Sequence, residues 1–557
     1  MPVAAPAPFT DTGDLSPDQL PYLNALARAH LTGDPALDPF FQHPWRRDGA
    51  LAQAAEAAAA HGRDRDALAD ALVAQNANWT PPEHEASVAV SIDKLRDPES
   101  VAVVTGQQLG LFGGPLYTAY KALGAVKLAR QVEEQTGRPC VPVFWMAGED
   151  HDFAEVATAH LLHGDDLQPV AYRDGRPHED DRGAVGRLTL QNVGSVLDDL
   201  DAALRPTEFT ADVTGALREH WKPGTSWRDA FARTLRWMLG EAGRDLVLVT
   251  PDDPAIKRLL VELFQQEVAA PGATAAAIQS ASEKLEAAGF HAQITPRPVN
   301  LFYLDEGARR ALDAESGGDQ ITVRGTDTSW TTTDATHALA DDPTPFSPAV
   351  ALRPVAQDTL FPTVAYVAGP GEASYWAQLR GVYERFGVPM PVVVPRPSLT
   401  LAERKVEKVL DKYGLTAMDL AGDVEALHKR LALDASDADI DAAFKEAAAL
   451  VNQAIDTAKP AAQSADQSLG KSAEATRAGM QKELAKLKDR VVRAEKRNQD
   501  VLRGHLDKAQ AGLFPGGKPQ ERILGPAYVL NKYGPDLFAR LLPALPDDPA
   551  QHRVVVL

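Results

Sequence analysis

The sequence predicts an α/β fold built on an open, mostly parallel β-sheet. Over residues 101–395 short apolar segments alternate with helical ones, and several of these segments are apolar on both faces, as are strands covered by helices on both sides. The strand candidates are Val101–Thr105, Val141–Met146, Asp245–Thr250, Val299–Leu304, Thr363–Gly369 and Pro391–Pro395. A turn and then a helix follow three of them, and this alternation is typical of an open α/β sheet; the predicted helices are Pro115–Arg130, Asp253–Val268 and Glu372–Phe386.

Other segments flank and interrupt this core. Ala-rich periodic stretches at Leu51–Ala60 and Asp66–Asn76, followed by the break at Thr80-Pro81-Pro82, predict helices in the N-terminal region. Polar sequence with Gly and Pro near 164–210 and 311–344 predicts inserted loops or small β pieces. A chain of 557 residues is too long for one ordinary core. We therefore expect a helical segment at 1–98 that packs on a catalytic core at 99–400.

A helical coiled-coil hairpin is predicted over residues 401–511. Residues recur there at alternating steps of four and three with charges between them, which is a heptad pattern. The longer seam is Met480, Leu484, Leu487, Val491, Ala494, Asn498, Val501 and His505, and the shorter one is Phe444, Ala447, Val451, Ala454 and Ala458.

The link between the two seams, Pro460–Gly470, is rich in Ser, Gln and Ala, so an antiparallel hairpin projecting from the α/β body is the simplest interpretation. Asn498 at a seam position would fix the register. Because hairpins within one chain and coils between chains share this pattern, a role in dimerisation stays open. Residues 512–557 are expected to return to the core, with a helix at Pro535–Leu542 and a terminal RVVVL that adds an edge strand or covers the body.

Composition excludes several classes of protein. Lys and Arg total 57 against 77 Asp and Glu, and a net charge of -20 does not suit general binding of nucleic acid. The N-terminus has no basic and apolar regions of a secretory signal, and no apolar run reaches the length of a membrane span. Cys140 stands alone before an apolar strand, where a small buried residue is expected. We expect a cytoplasmic protein.

The segment Val101–Ala129 is the first that indicates chemistry. It reads as a buried strand, a glycine-rich turn with Gly106, Gly110, Gly113 and Gly114, and a helix with no charge before Lys121. Such a turn aims backbone N–H groups and a helix N-terminus at an anion. Neither GxGxxG nor GxxxxGK[ST] is matched, so a tight structural turn is the alternative interpretation.

The second such segment is Gly148-Glu149-Asp150-His151-Asp152-Phe153, at the end of an apolar strand. Three carboxylates and an imidazole would repel one another or lack partners if they were buried there. Facing a crevice, His151 can transfer a proton, and the carboxylates can hold an ammonium group or a cation. A solvated loop is the alternative interpretation.

A third segment, residues 346–387, repeats the arrangement of strand, glycine turn and helix. Gly369-Pro370-Gly371 follows a strand, and Glu372 opens a helix that carries Tyr375 and Trp376. Arg353 and Gln357 precede the turn and would clamp a carboxylate or phosphate. A fourth piece, 395–400, contains Arg396 and Ser398. Arg396 is interpreted either as part of a structural ion pair at the domain junction or as a ligand contact.

Taken in order, these segments resemble the bacillithiol biosynthesis cysteine-adding enzyme family. The resemblance is carried by VTGQQLGLFGGPLYTAYKA, PVFWMAGEDHDFAEV, LRPVAQDTLFPTVAYVAGPGEASYWAQL and the terminal ERILGPAYVLNKYGPDLF, and it spans most of the chain. It implies a Rossmann-like core related to class I aminoacyl-tRNA synthetases and nucleotidyltransferases, with insertions, a C-terminal coiled-coil domain and a homodimer. The synthetases' two-histidine signature is absent, because GQQLGLFGGP stands in its place, so this relation to them is one of fold.

The resemblance implies a ligase that joins the carboxyl group of L-cysteine to the amine of glucosaminyl-malate, which gives bacillithiol. Because a carboxylate must be activated to form an amide, we expect ATP or ADP with Mg²⁺, and no tightly bound metal. Catalytic roles are expected for Glu149, Asp150, His151 and Asp152. Binding of substrate or nucleotide is expected of Thr105, Gly106, Gln107, Gln108, Gly113, Gly114, Tyr117, Lys121, Arg353, Gln357, Gly369, Gly371, Glu372, Tyr375, Trp376, Arg396 and Ser398, with Lys121, Arg353 and Arg396 as the cations for the malate carboxylates.

Two other functions remain compatible with the sequence. A metal-dependent hydrolase would use Asp150, His151, Asp152 and His160, although no HExxH or paired CxxC motif supports it. A scaffold protein without catalysis would bind partners through the helices of 401–511.

Overall fold

The computed structural model describes residues 10–176, 183–315, 317–435 and 440–557. They form two compact units, one comprising the chain through Ala402 together with Lys518–Leu557, the other Glu403–Gly517. The strands are β1 Thr10–Leu15, β2 Val101–Gln107, β3 Cys140–Met146, β4 Thr158–His163, β5 Asp166–Ala171, β6 Val247–Val249, β7 Leu301–Asp305, β8 Ala308–Ala314, β9 Gln320–Val323, β10 Ser329–Thr331, β11 Phe346–Pro348, β12 Thr363–Ala368, β13 Val392–Pro395, β14 Ser398–Ala402 and β15 His552–Val556.

The helices of the first unit are α1 Ala25–Thr32, α2 Ala50–Ala60, α3 Arg65–Asn76, α4 Glu85–Lys94, α5 Leu116–Thr136, α6 Phe153–Val156, α7 Val193–Ala203, α8 Thr210–His220, α9 Trp227–Leu239, α10 Pro254–Leu259, α11 Val261–Val268, α12 Ala273–Ala287, α13 Thr332–Asp341, α14 Arg353–Leu360, α15 Pro370–Trp376 and α16 Arg380–Phe386, with α21 Gln520–Ile523, α22 Pro526–Tyr533 and α23 Leu537–Leu541 after the second unit. The second unit contains α17 Arg404–Tyr413, α18 Val424–Ala435, α19 Ile440–Ala465 and α20 Leu469–Leu513.

A parallel sheet with the order β13-β12-β2-β3-β6 forms the centre of the first unit. Its strands are buried on both faces: Ala102 and Val104 of β2 pack into one cluster of the core, and Val101 and Val103 pack into another. The prediction of a parallel α/β sheet is confirmed. If these five strands are numbered 1 to 5 along the chain, from β2 to β13, their order across the sheet is 3-2-1-4-5. This is a doubly wound arrangement, in which the strand order reverses between β2 and β12.

Other predicted strands belong to different sheets. The candidate Val299–Leu304 is a strand, but β7 pairs antiparallel with β8 and β11 in a sheet of the order β10-β9-β8-β7-β11. It lies outside the parallel sheet, because a short apolar run does not reveal the direction of its partners. The terminal RVVVL forms β15, which lies between β1 and β14 and is therefore a central strand, not an edge strand.

The insertions contain more regular structure than the predicted loops and small β pieces. Helix α7 lies within 164–210, and α13 follows β8, β9 and β10 within 311–344. The N-terminal region is helical from α1 to α4, as predicted, but begins with strand β1. Two of the three predicted helices of the core are divided, into α10 with α11 and α15 with α16.

The second unit contains the predicted antiparallel hairpin, formed by α19 and α20. Pairs between the helices run in opposite directions along the chain, from Lys459–Glu474 at 2.6 Å to Asp441–Lys488 at 2.6 Å. The link is shorter than predicted, because α19 continues through Pro460 to Ala465.

The buried face of α20 differs from the predicted seam. Leu502, Leu506, Ala509 and Leu513 are buried, whereas Met480, Leu487 and Val501 keep 50%, 51% and 51% of their surface exposed. Asn498 is also exposed, so it fixes no register within this hairpin, and its role in a seam between chains stays a prediction. The helices α17, α18 and α19 all pack on α20, and Met480, Leu487 and Val501 lie where these helices leave its surface exposed.

Candidate active site

A cavity of about 370 Å³ opens at the carboxyl edge of the parallel sheet, where the strand order reverses. The carboxyl ends of β2, β3 and β12 and the helices that follow them supply its walls. Ligands of doubly wound folds bind at this switch point. The predicted residues that line it are Gly106, Gln107, Gln108, Tyr117, Lys121, Asp150, Arg353, Gln357, Gly369, Gly371, Glu372, Tyr375, Trp376 and Arg396.

The first wall follows β2. A Cβ on Gly106 would lie 2.8 Å from the carbonyl oxygen of Trp145, so only glycine lets β2 lie this close to β3. The amide of Gln108 donates to Asp150 Oδ2 at 2.9 Å and to Glu155 Oε2 at 2.8 Å. Gln108 therefore holds two carboxylates together at the cavity.

Lys121 joins this wall to the one after β12. Its ammonium group is buried and contacts Gly106 O at 2.6 Å, Gln107 Oε1 at 3.1 Å and Glu372 Oε2 at 2.5 Å. Burial lowers the pKa of Lys121, and the ion pair with Glu372 offsets only part of that effect. All three N–H bonds of the ammonium group are engaged, so Lys121 connects the two turns and has no N–H left for a ligand carboxylate.

The turn after β12 brings a cap and aromatic rings to the cavity. Glu372 Oε2 accepts the backbone N–H of Gly369 at 2.8 Å, while Oε1 accepts the hydroxyl of Tyr366 at 2.9 Å. Tyr366 stacks on Trp376 with ring centroids 4.7 Å apart. This wall is rigid, because the carboxylate that caps the helix also pairs with Lys121.

The segment Glu149–Asp152 places its side chains in four different surroundings. Asp150 lines the cavity, and His151 lies beside it with 41% of its side chain exposed. Glu149 instead forms a buried ion pair with Lys257, and Asp152 caps α6 by accepting the N–H of Glu155 at 3.1 Å. Of the three carboxylates predicted to act in catalysis, the structure places Asp150 in the cavity and gives Glu149 and Asp152 contacts elsewhere.

Asp150 is one of the carboxylates of this site. Burial raises its pKa, but Arg353, the hydrogen bond from Gln108, and Arg309 and His151 together outweigh burial and lower it below the usual value. Asp150 is therefore ionised at neutral pH and able to hold an ammonium group or accept a proton.

The glycine-rich turn Gly110–Gly114 lies outside the cavity. The N–H of Leu116, at the start of α5, donates to Leu524 O at 2.9 Å, and a Cβ on Gly113 would lie 3.1 Å from Met238 Sδ. Thr105, before it, is buried and donates to Val367 O at 2.9 Å. The turn packs against the C-terminal segment. Gly113 and Gly114 therefore belong to a tight structural turn, the alternative interpretation, and do not form a phosphate cradle.

Of the cations predicted to bind carboxylates, Arg396 is held by a carboxylate of the protein, whereas Arg353, among the described residues, is not. Arg396 lines the cavity, but Glu521 holds its guanidinium group with contacts of 2.9 and 2.5 Å, and both side chains are buried. Ser398 bonds to Glu521 at 3.1 Å and to His552 Nδ1 at 2.7 Å, behind the cavity wall. Arg353 is half-buried, and in the described part of the chain no carboxylate pairs with it.

Sequence reasoning missed two residues that line the cavity, Glu155 and Arg522, and three that hold side chains of the predicted segments: Arg309, Lys257 and Glu521. Glu155 and Arg522 line the cavity, and Arg522 is exposed. Glu521 and Arg522 belong to the ERILGP segment, which the sequence analysis used only as part of the family resemblance. Nothing in the local sequence predicts that Arg522 lines the same cavity as Gln108. Arg309 and Lys257 come from the antiparallel sheet and α10, and no motif marks them.

Within the described ranges, neither the cysteine nor a metal cluster offers an alternative site. Cys140 is buried at the opposite, amino edge of the sheet, and burial followed by the Glu133 carboxylate raises the pKa of its thiol. Across the ranges that the structure describes, no three His, Cys, Asp or Glu side chains converge as metal ligands, and His160 lies on β4. None of the described helices is long and apolar enough to cross a membrane.

A doubly wound sheet with a polar cavity at its switch point defines an enzyme of the Rossmann-like class. Comparison with protein families matches residues 15–397 to "Bacillithiol biosynthesis BshC, N-terminal Rossmann-like domain" and residues 399–557 to "Bacillithiol biosynthesis BshC, C-terminal coiled-coil domain". The chain belongs to the BshC family of bacillithiol biosynthesis, and the resemblance found in its sequence is confirmed.

Individual relatives match over nearly their whole length. A relative from Salinibacter ruber, named "Putative cysteine ligase BshC", is 45% identical over 521 residues, which cover 93% of this chain and 94% of the relative. A relative of the same name from Chlorobaculum tepidum is 35% identical over 91% of both chains. Another, from Bacillus licheniformis, is 30% identical over 93% of this chain and 95% of the relative.

Proposed function

We propose that this protein is a cysteine ligase that joins the carboxyl group of L-cysteine to the amine of glucosaminyl-malate, in the cytoplasm, to give bacillithiol. The observation that carries the proposal is the arrangement of charges in the cavity, in a chain whose relatives bear the cysteine ligase name. Asp150 and Glu155 lie together on one wall, while Arg353 and Arg522 supply positive charge without a carboxylate partner among the described residues. An amino acid carries both an ammonium and a carboxylate group, and this cavity offers a partner for each.

The substrates can be placed by charge. We assign Asp150 and Glu155 to amino groups, Arg353 to the cysteine carboxylate, and Arg522 to the carboxylates of the malate part, because an arginine binds a carboxylate in a bidentate manner. Lys121 and Arg396 support these walls through Glu372 and Glu521. An amine attacks only without its extra proton, and we assign the role of acceptor to the ionised Asp150.

Amide formation also requires activation of the carboxylate, and we propose ATP with Mg²⁺ for this purpose. The turn Gly110–Gly114 does not fit a phosphate cradle, since the N–H of Leu116 already donates to Leu524 O. Within the cavity we propose Gly371, in the turn after β12, for a phosphate group, because Glu372 accepts the N–H of Gly369 and the two arginines are assigned to carboxylates. When bound, the nucleotide would supply the leaving group of the cysteine carboxyl.

Mass spectrometry of a reaction with purified protein tests this function. Cysteine and glucosaminyl-malate are expected to yield the mass of bacillithiol when MgATP is present, and no such mass when either substrate or ATP is left out. Serine in place of cysteine is the matched control for the thiol. Absence of the product under every nucleotide condition contradicts the ligase, whereas product formed without any nucleotide contradicts only the role of ATP.

We further propose that the enzyme is a homodimer formed through α20. Met480, Leu487 and Val501 share one face at heptad spacing and are half-exposed, which a second copy would cover. Light scattering is expected to give twice the chain mass of 59.8 kDa, and Leu487→Glu is expected to give a monomer, with Val492→Glu as the control on another exposed position. A monomeric wild-type protein contradicts the proposal.

A further inference from the structure

The antiparallel sheet places an arginine against the imidazole of His151. Arg309 comes from β8, and its Nη1 lies 3.3 Å from His151 Nδ1. Both side chains pack on Phe302 of β7: the Arg309 guanidinium carbon is 3.9 Å from the ring centroid, and the His151 ring centroid is 5.8 Å from it. This contact joins the inserted sheet to the segment that follows β3.

Arg309 is held in this orientation by its other nitrogens. Its Nε donates to Ser347 Oγ at 2.9 Å, and its Nη2 donates to Pro348 O at 3.0 Å. Both partners lie on β11, which pairs with β7 next to β8. Because neighbouring strands fix the guanidinium plane, Nη1 points at His151 before any ligand binds.

The contact determines which nitrogen of the imidazole carries the proton. A guanidinium group has donors and no acceptor, so Nδ1 must accept the hydrogen bond, and the proton of the neutral ring is on Nε2. The competing partner of Nδ1 is Asp150 Oδ1, but it is 3.7 Å away, beyond hydrogen-bond distance, and already accepts the backbone N–H of His151 at 2.8 Å.

The other nitrogen is open to a ligand. In the described ranges no hydrogen bond engages His151 Nε2, and 41% of the side chain is exposed. Its Nδ1 lies 3.7 Å from Oδ1 of Asp150, which lines the cavity, so the imidazole lies next to a cavity residue.

We propose that Arg309 is a positioning residue that selects, for the imidazole of His151, the tautomer with its proton on Nε2, so that His151 offers the ligand a hydrogen-bond donor. The inference rests on the ligase function proposed above. The donor suits the cysteine carboxyl oxygen, on which negative charge grows as the amine adds to the carboxyl carbon. The role of proton acceptor then belongs to Asp150, and His151 does not act as a general base.

Nitrogen NMR of protein labelled with ¹⁵N-histidine tests the tautomer directly, with His151→Gln to assign the signals. In the wild-type protein at mildly alkaline pH we expect an unprotonated Nδ1 and a protonated Nε2 for His151. Arg309→Met should give a mixture of tautomers. Arg310→Met is the control: the guanidinium group of Arg310 pairs with Asp305 at 3.4 Å, so its loss should leave the His151 signals unchanged. A protonated Nδ1 in the wild-type protein, or identical spectra for wild type and Arg309→Met, overturns the proposal.

Kinetics separate a donor from a base at His151. A glutamine side chain still carries N–H donors, so His151→Gln should keep kcat within about tenfold of wild type, while His151→Ala loses about 100-fold or more, as for one donor to a developing oxyanion. Equal, severe losses in both variants overturn the donor role. A wild-type protein without ligase activity would refute the proposed function, while the NMR experiment would still decide the tautomer.

Discussion

Replacing Asp150 with asparagine is expected to lower kcat by about 10²- to 10⁴-fold, the contribution of a positioned proton acceptor. Asparagine has nearly the same shape and can still bond to Gln108, which donates to Asp150 at 2.9 Å. It lacks the charge that Arg353 stabilises, and it cannot take a proton from the attacking amine. Steady-state formation of product, measured at saturating substrates, gives the change in kcat.

Asp152→Asn is the matched control, two residues away in the same segment. Asp152 accepts the N–H of Glu155 as the cap of α6, and asparagine caps a helix about as well as aspartate. We expect kcat within about twofold of wild type, since neither the cap nor the cavity changes. Wild-type activity in Asp150→Asn, or an equal loss in both variants, would refute the assignment of Asp150.

The largest effect on stability is expected from Glu521→Gln. Glu521 and Arg396 are buried, with 3% and 4% of their side chains exposed, and Ser398 and the N–H of Leu399 also donate to the carboxylate. Removing one partner leaves a buried charge uncompensated, which costs about 3–5 kcal/mol. Equilibrium unfolding in urea measures the loss in the free energy of unfolding.

Two comparisons make this result specific. Glu219→Gln, in an exposed pair with Lys222, should leave the midpoint of unfolding unchanged. Adding Arg396→Met to Glu521→Gln removes the uncompensated charge and should recover part of the loss. A midpoint for Glu521→Gln equal to that of wild type would show that the pair does not anchor the C-terminal segment.

The same ion pair predicts a dependence on pH. Burial raises the pKa of Glu521, but Arg396 outweighs burial, so the pKa in the folded protein is lower than in the unfolded chain. A lowered folded pKa gives stability that is present above the unfolded pKa, about 4.3, and is lost as the pH falls through the folded value. The difference between wild type and Glu521→Gln should therefore shrink in acid below about pH 4.

The parallel core could be predicted because its strands are unusual in composition. Val101–Gln107 and Cys140–Met146 are buried on both faces except at Gln107, and such strands are apolar throughout. Val299–Leu304 has the same local pattern, yet most of β7 is only partly buried, in an antiparallel sheet. The local sequence indicates that a segment is extended, whereas the direction of the strands beside it depends on segments far away in the sequence.

The site was predictable to the extent that it consists of strand ends. Gly106, Asp150 and Glu372 converge because parallel strands bring their carboxyl ends to one edge of the sheet. Whether a polar residue faces a ligand or a structural partner depends on segments far along the chain. Arg396 is occupied by Glu521, Glu149 by Lys257, and the N-terminus of α5 by Leu524, and none of these pairs is visible in the local pattern.

The central claim is that the cavity at the switch point between β2 and β12 is where the ligase reaction takes place. A crystal structure of the enzyme with cysteine and glucosaminyl-malate, without nucleotide, tests it most directly. We expect both substrates in this cavity, with a carboxylate on Arg353 and an amino group on Asp150 or Glu155. Substrates bound elsewhere, with this cavity holding only solvent, would contradict the account.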